Sequence, residues 1–100
     1  MSAALEEEVR EALGGVIDPE LGIDIVNLGL VYGIGIEESD VDIVMTLTVP
    51  GCPMHATITR DVESAVRGLS WPREVRVHLV FEPPWSPEKL SPQGRALLGR

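Results

Sequence analysis

Cys52 is the single cysteine of the chain and has the most suggestive chemical setting in it. It follows the strand-breaking pair Pro50-Gly51 and precedes Pro53, a residue suited to the first position of a helix. A thiol at a helix N-cap faces unpaired backbone N–H groups and the positive end of the helix dipole. Both favour the thiolate, the nucleophilic and metal-binding form. Nearby carboxylates oppose it. Asp, Ser and Asn are better caps than Cys, so a cysteine here is mildly unexpected, although a small half-buried cap without reactivity also fits. His55 follows by three, a Cys-x-x-His spacing. Two ligands fall short of the three or four that zinc sites use, and a solvent-facing first-turn histidine is the plainer reading of His55. Asp18 and Glu20 flank Pro19. They are either ordinary turn chemistry or two carboxylates presented on one loop for hydrogen bonding or metal contact. Thr46 and Thr48 share the polar face of a strand that runs into the Cys52 loop. Hydroxyls on an exposed strand face are ordinary strand formers, and they gain interest only if that loop folds beside Asp18 and Glu20.

The elements that must position these residues follow from periodicity. Leu5, Val9, Ala12, Leu13 and Val16 recur at helical spacing, so a helix is expected from Ala3 to about Leu13 with Ser2 as N-cap. Gly14-Gly15 and Pro19 end it. A connection over Ile17–Asn27 leads to a strand from about Leu28 to Glu37. There Leu28, Leu30, Tyr32, Ile34 and Ile36 alternate with Gly29, Val31, Gly33 and Gly35. Glu38-Ser39-Asp40 is a turn. The second strand places Val41, Ile43, Met45, Leu47 and Val49 on one face, which makes an antiparallel hairpin. A second helix is expected from about Pro53 to Gly68, with Met54, Ile58, Val62, Ala65, Val66 and Leu69 as its stripe. A third strand spans Glu74–Glu82, with Val75, Val77, Leu79 and Phe81 inward. Ser86-Pro87 and Ser91-Pro92 then open short helical turns.

The order helix, strand, strand, helix, strand, helical tail predicts a two-layer α/β (α+β) sandwich. It has one small mixed sheet with helices on one face, and the second strand reaches the third by a right-handed parallel crossover. Leu30, Ile34, Ile43, Met45, Leu47, Val62, Val66, Val77 and Leu79 are the expected core. One hundred residues make a single domain over residues 1–100.

Sixteen acids against eight bases give a net charge of −8. This excludes nucleic-acid and anionic-membrane binding as expectations, since both need clustered Lys and Arg. The charge is uneven: eleven acids and one base precede Arg60, while five acids and seven bases follow from there on. The acidic half is either a solvated face or a docking surface for a basic partner. One cysteine, no apolar run near the ~20 residues of a membrane span and no signal peptide predict a cytoplasmic protein with a reduced thiol. The glycines from Gly29 to Gly35 lie within a strand with no helix after it, so they are no dinucleotide fingerprint.

Four segments in order carry a resemblance. They are Asp18-Pro19-Glu20-Leu21-Gly22, Ile25-Val26-Asn27-Leu28-Gly29-Leu30-Val31-Tyr32, Met45-Thr46-Leu47-Thr48-Val49-Pro50-Gly51-Cys52-Pro53 and Pro83-Pro84-Trp85. Together, over about residues 5–98, the chain resembles the SufT/PaaD-type small-domain family of iron–sulfur cluster assembly. It is also similar to the domain preceding the ATPase part of Mrp/ApbC proteins. The resemblance implies a maturation factor that is no enzyme: an adaptor, or a protein that handles a cluster transiently without binding one tightly. Its partners would be assembly proteins or apo-clients. The family's recurrent polar set maps onto Asp18, Glu20, Thr46, Thr48 and Cys52. The chain ends after this domain, so no nucleotide-powered activity is expected of it. Iron–sulfur clusters usually take four protein ligands, so one Cys52 per chain cannot hold one alone. A homodimer would offer two thiolates, with small thiols, a client or His55 supplying the rest. Two other classes compete: an interaction module using the acidic face, and a cysteine-dependent enzyme with Cys52 as nucleophile and His55 or Glu20 as base.

Overall fold

The computed structural model describes residues 2–19, 21–48 and 55–97. Helix α1 spans Ser2–Leu13, α2 Ile25–Leu28, α3 His55–Arg67 and α4 Pro92–Leu97. Strands β1 (Val31–Glu37), β2 (Asp40–Met45) and β3 (Glu74–Leu79) form one sheet in the order β1-β2-β3. β1 and β2 pair antiparallel; β2 and β3 pair parallel across the α3 crossover. A 3₁₀ turn at Pro87–Lys89 and α4 begin at the two Ser-Pro steps, as expected. The expected two-layer mixed sandwich is the observed fold.

The core is the apolar face of that sheet closed by helix stripes. Val9 and Leu13 of α1, Ile58, Val62 and Val66 of α3, and Val41, Ile43 and Met45 of β2 are all buried. Of the nine expected core residues, Leu30, Ile43, Met45, Leu47, Val62 and Val66 are buried; Ile34, Val77 and Leu79 are half-buried against them. The three partial cases lie on the two edge strands, where a neighbour exists on one side only.

Three local expectations are corrected. Residues 25–28, expected as the end of a connection and the first residue of a strand, are a helical turn. The Asp24 carboxylate caps it, accepting from the Asn27 backbone N–H at 3.0 Å and from Asn27 Nδ2 at 2.7 Å. Gly29 ends it at φ +77°, a conformation that costs glycine least. β1 therefore starts at Val31. The alternation of β1 is also broken by a bulge at Tyr32. Gly33 pairs with Val44 and Ile34 with Ile43, but Val31, not Tyr32, pairs with Met45. One extra residue shifts the parity of everything before it. Finally, β2 ends at Met45, so Thr46–Thr48 lie beyond it, and β3 stops at Leu79. The expected helix positions Pro53 and Met54, and the strand position Val49, lie outside the described residues.

The other sheet face explains part of the charge asymmetry. Asp40 and Asp42 of β2 meet Arg73, Arg76 and His78 from the chain's more basic second half. Arg73 pairs with Asp40 at 3.1 Å, Arg76 with Asp42 at 2.8 Å, and His78 Nε2 with Asp42 at 2.9 Å. The Arg76 guanidinium first, then His78, hold the Asp42 carboxyl down at about 2. His78, which the sequence places only in solvent, has a definite partner.

Candidate functional site at one end of the sheet

The chain leaves β2 at the end of the sheet where β1 begins. Three backbone hydrogen bonds tie this end together. The Ile25 N–H donates to Val16 O at 3.0 Å, the Leu30 N–H to Ile25 O at 3.0 Å, and the Thr46 N–H to Leu30 O at 2.9 Å. The Asp18 loop and the exit from β2 are thereby anchored at the same end. The loop is closed by its own backbone and by the Asp18 carboxylate. The Asp18 N–H donates to Ile23 O at 3.0 Å, the Gly22 N–H to Asp18 O at 2.8 Å, and the Leu21 N–H to Asp18 Oδ1 at 3.1 Å. Gly22 allows the turn at φ +71°.

Asp18 and Thr46 are the two buried polar residues among those described, at 2% and 1% exposure. This overturns the surface placement expected for Thr46. Thr46 follows the last residue of β2 and is enclosed between the two neighbouring segments: its N–H donates to Leu30 O at 2.9 Å, and the preceding Met45 O accepts from the Val80 N–H at 2.9 Å. Thr46 Oγ1 makes no hydrogen bond of good geometry among the described residues. It lies close enough to the Tyr32 phenol to lower its pKa, against a larger rise caused by burial. The phenol instead donates to Pro83 O at 2.7 Å. A buried hydroxyl without a partner costs about 1–3 kcal/mol, so Thr46 is an expensive choice unless something outside the described atoms uses it. Thr48 is half-buried. Glu20, Cys52 and the His55 side chain lie outside the described residues. Among the described ones, no three His, Cys, Asp or Glu side chains gather as a metal would require.

Residues absent from the expected set complete this end. Trp85 Nε1 donates to Leu28 O at 2.6 Å, Ser91 Oγ to Asn27 Oδ1 at 2.5 Å, and the Ser91 N–H to Asn27 O at 2.9 Å. Lys89 Nζ sits 5.3 Å from the Tyr32 ring centroid. These contacts pin the C-terminal segment across α2 and the start of β1. The usable signal was the Asp24…Gly29 bracket, an N-cap and a C-terminal glycine around four residues that otherwise read as connection and strand start.

No helix among the described residues is long and apolar enough to cross a membrane. Comparison with known proteins supplies the family. The family model described as "Iron-sulfur cluster assembly protein" matches residues 6–79. The chain is 44% identical to the Fe-S protein maturation auxiliary factor YitW of Bacillus subtilis, over 99% of this chain and 98% of that one. It is 44% identical to the Fe-S protein maturation auxiliary factor SufT of Staphylococcus aureus, over 84% of this chain and 97% of that one. A crystal structure of a domain of unknown function, DUF59, from Bacillus anthracis superposes with a TM-score of 0.91 at 42% identity, covering 97% of this chain and 93% of that one. With three-quarters of its length matched by the family model and full-length relatives at this identity, the chain belongs to the iron–sulfur cluster assembly protein family.

Proposed function

We propose that this chain is an auxiliary factor in the maturation of iron–sulfur proteins, acting through a Cys52-centred site with Asp18, Glu20, Thr46 and Thr48. The relatives named as maturation auxiliary factors support the general role. The observation that carries the site is Thr46: a hydroxyl 1% exposed and without a hydrogen-bond partner among the described residues, at the sheet end from which the chain runs to Cys52. A buried donor of this kind suits a thiolate or a sulfide, both of which accept hydrogen bonds. The cluster is cargo in this reading. One thiolate and a few hard oxygen donors do not make the four-ligand set of a resident cluster, so contact is transient and completed by a client or carrier. Partners are assembly proteins or apo-clients, and catalysis is no part of the reading.

The test is transfer. An apo-client that needs a [4Fe–4S] cluster is incubated anaerobically with a cluster donor, with and without this chain, and client activity is followed. Acceleration by the wild type and its loss in Cys52→Ser is the expected result. No acceleration, or equal acceleration by Cys52→Ser, overturns the Cys52-centred reading.

A further inference from the structure

β1 is an edge strand. Its ladder runs to β2 alone, and among the described residues no backbone hydrogen bond from a loop reaches 31–37; the Tyr32 side chain alone is tied to a loop, at Pro83 O. An open edge presents free N–H and C=O groups, which proteins ordinarily blunt with charges or proline. The opposite edge, β3, carries Glu74, Arg76 and His78. From Val31 to Ile36, β1 carries neither charge nor proline, and its one irregularity is the bulge at Tyr32, which leaves 33–37 regular.

Two charges bracket this edge. Glu37 stands at its far end, exposed, with no ion pair among the described residues. Lys89 stands at its near end, over Tyr32, with no carboxylate partner among them. Opposite charges at the two ends of one open strand make the edge self-complementary. We propose that two copies of this chain pair β1 to β1, antiparallel about a two-fold axis at Ile34, into one six-stranded sheet. In that register Ile34 meets the partner's Ile34, Gly33 the partner's Gly35, and Val31 the partner's Glu37. Each Lys89 then stands beside the partner's Glu37. A parallel pairing would set like charges together.

The sheet face over Gly33 and Gly35 is open. Neither Gly33 nor Gly35 has positive φ, and a Cβ on either would meet only Val44 Cβ at 3.8 Å or Asp42 Cβ at 3.9 Å. The net charge of −8 on each copy opposes association. Screening over ~8 Å at physiological salt weakens that general repulsion more than the contact pairs. The two site-bearing ends fall about 20 Å apart, six residue steps along the antiparallel strands. The dimer therefore presents two separate sites and does not bring two Cys52 thiolates to one cluster. The proposal stands on the sheet edge and needs neither iron nor sulfide, so its fate is independent of the function proposed above.

Sedimentation velocity on the reduced, metal-free chain over a concentration series tests it. A concentration-dependent dimer is expected. Glu37→Lys and Lys89→Glu should each weaken it about tenfold, since two attractive pairs become repulsive, and the double swap should return it to within about threefold of wild type. Thermal melts confirm that each variant is folded. Hydrogen exchange should show concentration-dependent protection at alternate β1 amides. A monomer at every concentration, a dimer indifferent to the single swaps or not rescued by the double, or protection at β3 instead of β1 overturns the proposal.

Discussion

Replacing Thr46 by valine separates stability from function at this site. The two side chains have the same shape, so the change removes the hydroxyl and leaves the packing. Thr46 is 1% exposed and Oγ1 has no hydrogen-bond partner among the described residues. Removing an unsatisfied buried hydroxyl relieves about 1–3 kcal/mol, and the new methyl adds up to about 0.8 kcal/mol of apolar burial. Denatured-state compactness and imperfect fit reduce the sum, so Thr46→Val should gain about 1–2 kcal/mol. For a domain of this size the melting temperature should rise by about 4–8 °C for each kcal/mol. The Tyr32 pKa should rise further, because Thr46 is the contact that lowers it. Urea unfolding, thermal melts and ultraviolet titration of the phenol measure all three. In the cluster-transfer assay the same variant should lose activity, while Thr46→Ser, which keeps the hydroxyl, should retain it. If Thr46→Val is less stable than wild type by about 1 kcal/mol or more, the hydroxyl has a partner in solution and the idea of a donor held for a ligand fails. If it is more stable and equally active, Thr46 has no part in function.

Acid should weaken the fold through Asp42. Its carboxyl is held at about 2 by Arg76 and then His78, below its unfolded value of about 3.9. A depressed folded pKa contributes stability above the unfolded pKa that is lost as pH falls through the folded one. Melting temperature should therefore fall between about pH 4 and pH 2, and less steeply in Asp42→Asn; equal slopes would show that these exposed pairs are dissolved in solution. Gly29→Ala should cost at least about 2 kcal/mol, because φ +77° is unfavourable for alanine and its Cβ would overlap the Lys89 carbonyl. A loss below about 0.5 kcal/mol in chemical denaturation would mean that the C-terminal segment is not held against α2. Leu47→Ala should cost about 2–5 kcal/mol, as Leu47 is 2% exposed; a loss below about 1 kcal/mol would place Leu47 outside the core.

Element type and order were legible in the residues because each long element has an unambiguous period. The stripes of α1 and α3, the alternation of β2 and the Ser-Pro starts of the tail each encode a local preference that the fold does not contest. The family was legible too, in four short motifs whose order no single periodicity explains. The bulge at Tyr32 was not legible, since the alternation in residues 28–36 runs unbroken through it; only pairing with β2 decides where an extra residue is accommodated. The turn at residues 25–28 was hidden because Ile25, Val26 and Leu28 also favour strand, and the balance is tipped by the Asp24 cap and by contacts from Trp85 and Ser91, far away in sequence. The charge asymmetry was visible as a count. Which acids are neutralised depends on β2 and β3 lying parallel, which sets Asp42 beside Arg76. Thr46 makes the same point at the site. A threonine at a strand end has no intrinsic burial, and its enclosure at 1% exposure comes from the neighbouring segments at Leu30 and Val80 that bond to either side of residues 45–46. Local sequence sets preferences over a few residues, whereas burial and partnership are set by contacts between segments up to 64 positions apart.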